Sequence, residues 1–166
     1  MNKNQNTCTN CRKPKANYNC GICTDSICKS CAQFLPEDSF SFLNVIPEEL
    51  THTCYCSQCF VEKVDNPLAD YNQKMEEAKE IYIFTKEQSK QTRLLQRKEA
   101  PYSVEDCQDE EEALMRMSFK AVQEGFNALI DLQFTTKKII VGSHKKLVWS
   151  GTGVPITINP DKVSGY

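Results

Sequence analysis

Apolar residues recur at three- and four-residue steps in two stretches of this chain, and they alternate in a third. In NPLADYNQKMEEAK, residues 66–79, Leu68, Tyr71, Met75 and Ala78 fall on one stripe, so the spacing predicts a helix. Glu80 to Phe84 is rich in Ile, Tyr and Phe and reads as a short strand. Residues 85–104 are polar, with Leu94 and Leu95 a weak strand candidate and Pro101 a breaker. The clearest helix lies in DCQDEEEALMRMSFKAVQEGF, where Leu114, Met117, Ala121 and Val122 share a face that Met115 and Phe119 widen. Asp109 to Glu112 occupy its first turns, where the helix dipole favours negative charge, and Gly125 supplies the stop. Ala128, Ile130, Leu132 and Phe134 then alternate with Leu129, Asp131 and Gln133, the period of a strand. A Gly142-Ser143 turn leads to Lys146-Leu147-Val148-Trp149, followed by GTG and VPITI. Strand, helix, strand, strand predicts an α+β unit, a helix packed on a small antiparallel sheet.

Cysteine organises the rest. Nine of the ten cysteines lie between Cys8 and Cys59, and only Cys107 follows. This shift divides the chain into residues 1–65 and 66–166. The border is expected at Val64-Asp65-Asn66-Pro67, with Asn-Pro as cap and first position of the new helix. Within the first part, AQFLPEDSFSFLNVIPEELTHT gathers Phe34, Leu35, Phe40, Phe42, Leu43, Val45 and Ile46. These residues are expected to form a miniature core against the cysteines, the alternative being a patch for a partner protein.

The cysteines run C-x2-C, eight residues, C-x2-C, four residues, C-x2-C, twenty-four residues, C-x2-C. One C-x2-C knuckle can place both sulfurs on one ion at roughly 2.3 Å, and four pairs fill two closed tetrahedral Zn2+ sites. The gap of four residues between Cys23 and Cys28 favours sending neighbouring pairs to different ions. Site one is then Cys8, Cys11, Cys28 and Cys31; site two is Cys20, Cys23, Cys56 and Cys59. A sequential arrangement, with the first two pairs on one ion and the last two on the other, stays open. His52 and Cys54 stand beside the fourth pair as alternative ligands. The C-x2-C geometry favours Cys56, leaving Cys54 a buried apolar side chain and His52 exposed.

This array resembles the FYVE-like cross-brace zinc fingers, related in wiring to the RING fold, over about residues 8–60. Phosphoinositide-binding FYVE domains carry a basic, histidine-rich run around the third cysteine, where this chain reads ANYNCGIC. They carry Arg-Val-Cys at the seventh ligand, where it reads CYC. The cations that hold phosphate are therefore missing, and membrane lipid is disfavoured. RING modules usually offer a His ligand and an apolar groove; all eight candidates here are Cys, which speaks against ubiquitin-ligase activity. Residues 1–65 contain six basic and seven acidic side chains, and with two Zn2+ and eight thiolates the loaded module carries about −5. That charge excludes nucleic acid as an expected partner.

A second resemblance covers about residues 79–158. EALMRMSFKAVQEGFNALIDLQF followed by SGTGVPITI is similar to the YbjQ-type small α/β family, through Gly125-Phe126-Asn127-Ala128 and Gly151-Thr152-Gly153-Val154. It implies a domain that forms a ring-like homo-oligomer. From residue 66 onward the soft ligands are Cys107, His144 and four methionines, too few for a tight metal site.

Cys107 with His144 is the one nucleophile–base pair the composition allows, and the acids around Cys107 oppose the thiolate. Asn127 and the GTG run are expected to serve turns and bulges. With 40% hydrophobic and 25% charged residues, net charge −2 and a polar start, MNKNQNTC, the chain reads as cytoplasmic. The expected function is that of a non-enzymatic adaptor with a protein partner, or alternatively of a metal sensor or buffer.

Overall fold

Four short strands and a run of helical turns build the first part of the computed structural model, which describes residues 7–88, 92, 93 and 95–159. Strand β1 (Tyr18–Asn19) pairs antiparallel with β2 (Ser26–Ile27), and β3 (Ala32–Phe34) with β4 (Cys54–Cys56). A single turn, α1 (Ser57–Cys59), follows, then a wide π-type turn over Phe60–Val64, then helix α2 (Asp65–Lys79). Asn66-Pro67 therefore does not open a helix but sits just inside one that is already running. Proline in a helix clashes with the carbonyl four residues back. Here that residue is Lys63, inside the wide turn, where the backbone has room.

Two compact units divide at Asn72/Gln73, seven residues beyond the border read from the sequence. Tyr71 accounts for the difference within the first unit: its ring meets Phe40 edge-on at 5.2 Å. The expected miniature core is only partly there. Phe40 is buried, whereas Phe34 is 49% and Val45 83% exposed, and Ile46 also faces solvent. One buried cluster packs Ile27 and Ala16 among Cys8, Cys20, Cys28, Cys56 and Cys59, and Leu50, Tyr55, Val64 and Tyr71 are buried as well.

The second unit corrects the expected sheet. β5 (Tyr82–Thr85), β6 (Tyr102–Cys107), β7 (Ala128–Val141) and β8 (His144–Ile156) lie in the order β5-β7-β8-β6, with β5 parallel to β7 and the other pairs antiparallel. A parallel pair needs a long crossover, and the segment carrying β6 and helix α3 (Glu110–Gln123) provides it. β6 was not expected, because its YSVEDC pattern is short and begins beside Pro101. Leu95 lies outside any strand; Leu94 lies outside the described residues. Helix α3 starts where the acids predict: the Asp109 carboxylate accepts the Glu112 N–H at 2.7 Å. It stops before Gly125, whose φ of 86° is left-handed.

The alternation along β7 also breaks. A bulge at Asp131 (φ 54°) shifts the register between Ile130 and Gln133. Leu129, Leu132 and Phe134 thus pack with Met117 and Ala121 of α3. Ala128 and Ile130 join Ile156 and Ile158 in a separate cluster. Arg97 grips the Asp131 carboxylate through Nε and through Nη2 (2.9 Å), which holds that carboxyl below its usual range. Gly151 and Gly153 are not turn residues. They lie within β8, where an added Cβ would sit 2.8 Å from Met117 Cε and 2.8 Å from Leu132 Cδ2 respectively. They let the helix and β7 approach the sheet.

Asn127 closes the sheet. Its Nδ2 donates to Ile158 O at 2.9 Å and its Oδ1 accepts from Ile158 N at 2.8 Å. Replacing Asn127 with Ala orphans both half-buried backbone groups and should lower stability by about 1–3 kcal/mol, read from the urea midpoint of the full chain.

Candidate metal centres

The sulfurs of Cys8, Cys11, Cys28 and Cys31 lie within 4.8 Å of one another, and so do those of Cys20, Cys23, Cys56 and Cys59. Cys11 Sγ is 3.6 Å from Cys28 Sγ, and Cys23 Sγ is 3.8 Å from Cys56 Sγ. Four thiolates at roughly 2.3 Å from one zinc stand about 3.8 Å apart. A disulfide would need about 2.05 Å. Two separate four-cysteine groups thus fit two zinc ions, and the pairs are interleaved, first with third and second with fourth.

Each half-site has its own backbone reason. After the first two pairs, Arg12 and Thr24 take left-handed conformations (φ 60° and 62°), and their N–H groups donate to Cys8 O (2.8 Å) and Cys20 O (2.9 Å). This turns the chain tightly enough to aim both sulfurs inward. The third pair uses a helical turn, with Ala32 N donating to Cys28 O at 3.1 Å. The fourth opens α1: Cys56 is its N-cap and Cys59 N donates to Cys56 Sγ at 3.3 Å.

The interleaving follows from β2. Thr24 turns the chain back after Cys23, and β2 then carries it away from that knuckle before Cys28 begins the next. Cys20 and Cys23 sit in the β1–β2 turn, while Cys28 follows β2 directly.

Packed sulfurs titrate unequally. Backbone N–H groups of Cys11 and Cys28 bring Cys8 down to about 6. Burial opposes ionisation of Cys20, yet the N–H groups of Cys23 and Cys56 bring it down to about 7. Hydrogen bonds with Cys11 and Cys28 push Cys31 up to about 12, and burial pushes Cys23 up to about 11. Burial also raises Cys59. Four thiols this close cannot all ionise without a cation between them.

Cys54 and His52 belong to neither group of four. Both are half-buried, so His52 is not the exposed residue expected. His52 packs over Gly21 so closely that a Cβ on Gly21 would lie 2.2 Å from His52 Cγ. Gly21 N donates to Cys54 O at 2.9 Å, and Tyr55 OH to His52 O at 2.7 Å. His52 and Cys54 thus brace the second knuckle. The CGIC spelling of that knuckle was the only sequence hint.

Cys107 and His144 do not meet. Cys107 is buried opposite Trp149, five strand positions and about 16 Å from His144. Burial, then Glu112, raises its thiol. Among the described residues no helix is long and apolar enough to cross a membrane. Comparison of the chain with protein-family models, curated proteins and solved structures found no match.

Two outcomes are expected. Thiols raised like Cys23, Cys31 and Cys59 keep their protons at neutral pH and release them to zinc. Affinity should therefore rise by about tenfold per pH unit for each proton released per site, measured by chelator competition between mildly acidic and mildly alkaline pH. Gly21→Ala should retain two zinc ions but lose about 1–3 kcal/mol, read from urea unfolding of the zinc-loaded protein.

Proposed function

We propose that this chain is a non-enzymatic adaptor, in which a structural double-zinc module engages another protein and the second unit self-associates. The observation that carries the reading is the pair of closed sites. Each has four sulfurs and no position set aside for water or substrate, the composition of structural rather than catalytic zinc. The interleaved pairs agree with a FYVE-like cross-brace. About −5 on the loaded module disfavours phosphate-bearing ligands and leaves protein as the partner class. Phe34, 49% exposed and edge-on to Tyr18 at 5.1 Å, gives such a contact an exposed aromatic pair. The α+β unit is taken as YbjQ-like, and ring-like self-association follows from that likeness.

Metal buffering is the second reading, favoured by Cys11 and Cys23. Each site has one ligand open to solvent, and exposed thiolates give chelators and acceptor proteins a point of attack.

Elemental analysis should give two zinc ions per chain, and hydrogen exchange should show residues 8–59 losing protection when zinc is stripped. Isotopic zinc exchange over hours supports the adaptor; exchange within seconds with the fold retained supports buffering. Iron in place of zinc would overturn both.

A further inference from the structure

The second unit carries a basic, apolar arm and an acid-rimmed, apolar groove, and we infer that the arm of one copy docks in the groove of another. The inference rests on the proposed self-association and says which surfaces bring it about.

The arm is the outer half of the β7–β8 hairpin. β5 accompanies β7 only as far as Leu132, and β6 accompanies β8 only as far as Trp149. Beyond them the pairs from Lys137↔Val148 to Val141↔His144 have no third strand among the described residues. The ribbon extends about 16 Å at roughly 3.3 Å per residue. Cross-strand partners share a face, and here they set Lys against apolar residues: Lys138↔Leu147, Ile139↔Lys146, Ile140↔Lys145. Ile140 is 75% exposed, and Val141 and Leu147 also face solvent. Residues 132–159 contain four lysines and no Asp or Glu. A two-stranded ribbon with exposed Ile and Val is marginal in water and gains by being covered.

The groove, of ≈ 630 Å³, lies where the end of α2 meets β5 and the α3–β7 turn. Ile81, Val122 and Phe126 give it apolar walls; Glu76, Glu77 and Glu80 rim it. Glu76 accepts from Lys79 (2.6 Å) and Glu77 from Gln73 (2.8 Å), both on the surface of the same helix, where such pairs are weak and exchangeable. β5 is the outer strand of the sheet, so among the described residues no strand pairs with its far edge beside the groove, and Tyr82 and Ile83 are exposed. An incoming strand could pair with that edge, set its apolar side chains in the groove and bring its lysines to the three glutamates. Lysines along a bare ribbon discourage indiscriminate pairing. An acidic rim removes that penalty for one partner only.

Arm and groove are different surfaces, so the contact is head-to-tail and closes into a ring or continues as a filament. It is tested on the zinc-loaded full chain by native mass spectrometry and sedimentation equilibrium. The wild type should be a multiple of the 18.9 kDa chain. K137E/K138E/K145E/K146E and E76K/E77K/E80K should each fall to a single chain. Mixed in equal amounts they should reassemble, since each altered arm then meets a groove of opposite sign; misfolded variants cannot give that rescue. Assemblies that persist in both variants would overturn the docking and leave self-association standing. A wild type that stays a single chain at high micromolar concentration would overturn both.

Discussion

Two four-cysteine groups, each fitted to a zinc ion, organise the first unit. Its buried cluster contains Cys8, Cys20, Cys28, Cys56 and Cys59, with Ile27 and Ala16 the other buried members. Removing the coordination would leave a core of ligands that repel one another once ionised. Within one site Cys31 is raised by its hydrogen bonds with Cys11 and Cys28 while Cys8 is lowered by backbone N–H groups, so the four thiols are not equivalent. Magnitudes settle which effect wins. Left-handed Arg12 and Thr24 cost about 1–2 kcal/mol each. A structural zinc contributes on the order of 10 kcal/mol, so strained knuckles are a small opposing term. The braces around His52 follow from the same order of strengths: they need only hold the second knuckle in place while the ion supplies the attraction.

The second unit is limited by shape instead. Its helix must approach a sheet whose strands are long, and two features allow this. Gly151 and Gly153 leave the space that Met117 and Leu132 fill. The bulge at Asp131 turns Leu132 towards the helix rather than away, and Arg97 holds the bulge by its carboxylate. A second left-handed aspartate, Asp106, coincides with the register shift in β6. Aspartate tolerates this conformation better than most residues, since its short side chain bonds locally.

How much of this was legible follows from the range of the forces. The ligand sets were readable because a C-x2-C pair and a four-residue gap are local; the gap favoured the interleaved wiring, and the grouping of the sulfurs decides it. Helices α2 and α3 were readable through their stripes and through Asp109 and Gly125. The knuckle conformations were not, since neither Arg nor Thr favours positive φ. The parallel place of β5 was hidden because it depends on a crossover, and β6 because a six-residue strand needs its neighbour to be recognised. GTG looked like turn and bulge chemistry, and register shifts do fall beside it; only Met117 and Leu132, remote in sequence, reveal the close approach. Phe34 and Val45 looked like core because apolar composition does not record that sulfur had already filled the interior.

Zinc loading also sets where charge sits along the chain. Eight thiolates on two Zn2+ leave about −4 that the amino-acid count conceals, while residues 132–159 hold four lysines and no acid. The two kinds of negative charge differ in what they offer an ammonium group. Sulfur charge is spread over a coordinated cluster and partly taken up by backbone N–H groups, as at Cys56. The carboxylates of Glu76, Glu77 and Glu80 are localised at the rim of an apolar groove. Lysine is a compact, strongly hydrated cation that gains most from localised oxygen charge. The two units thus offer an ammonium group different kinds of negative charge, diffuse on sulfur and localised on carboxylate, and salt screens both.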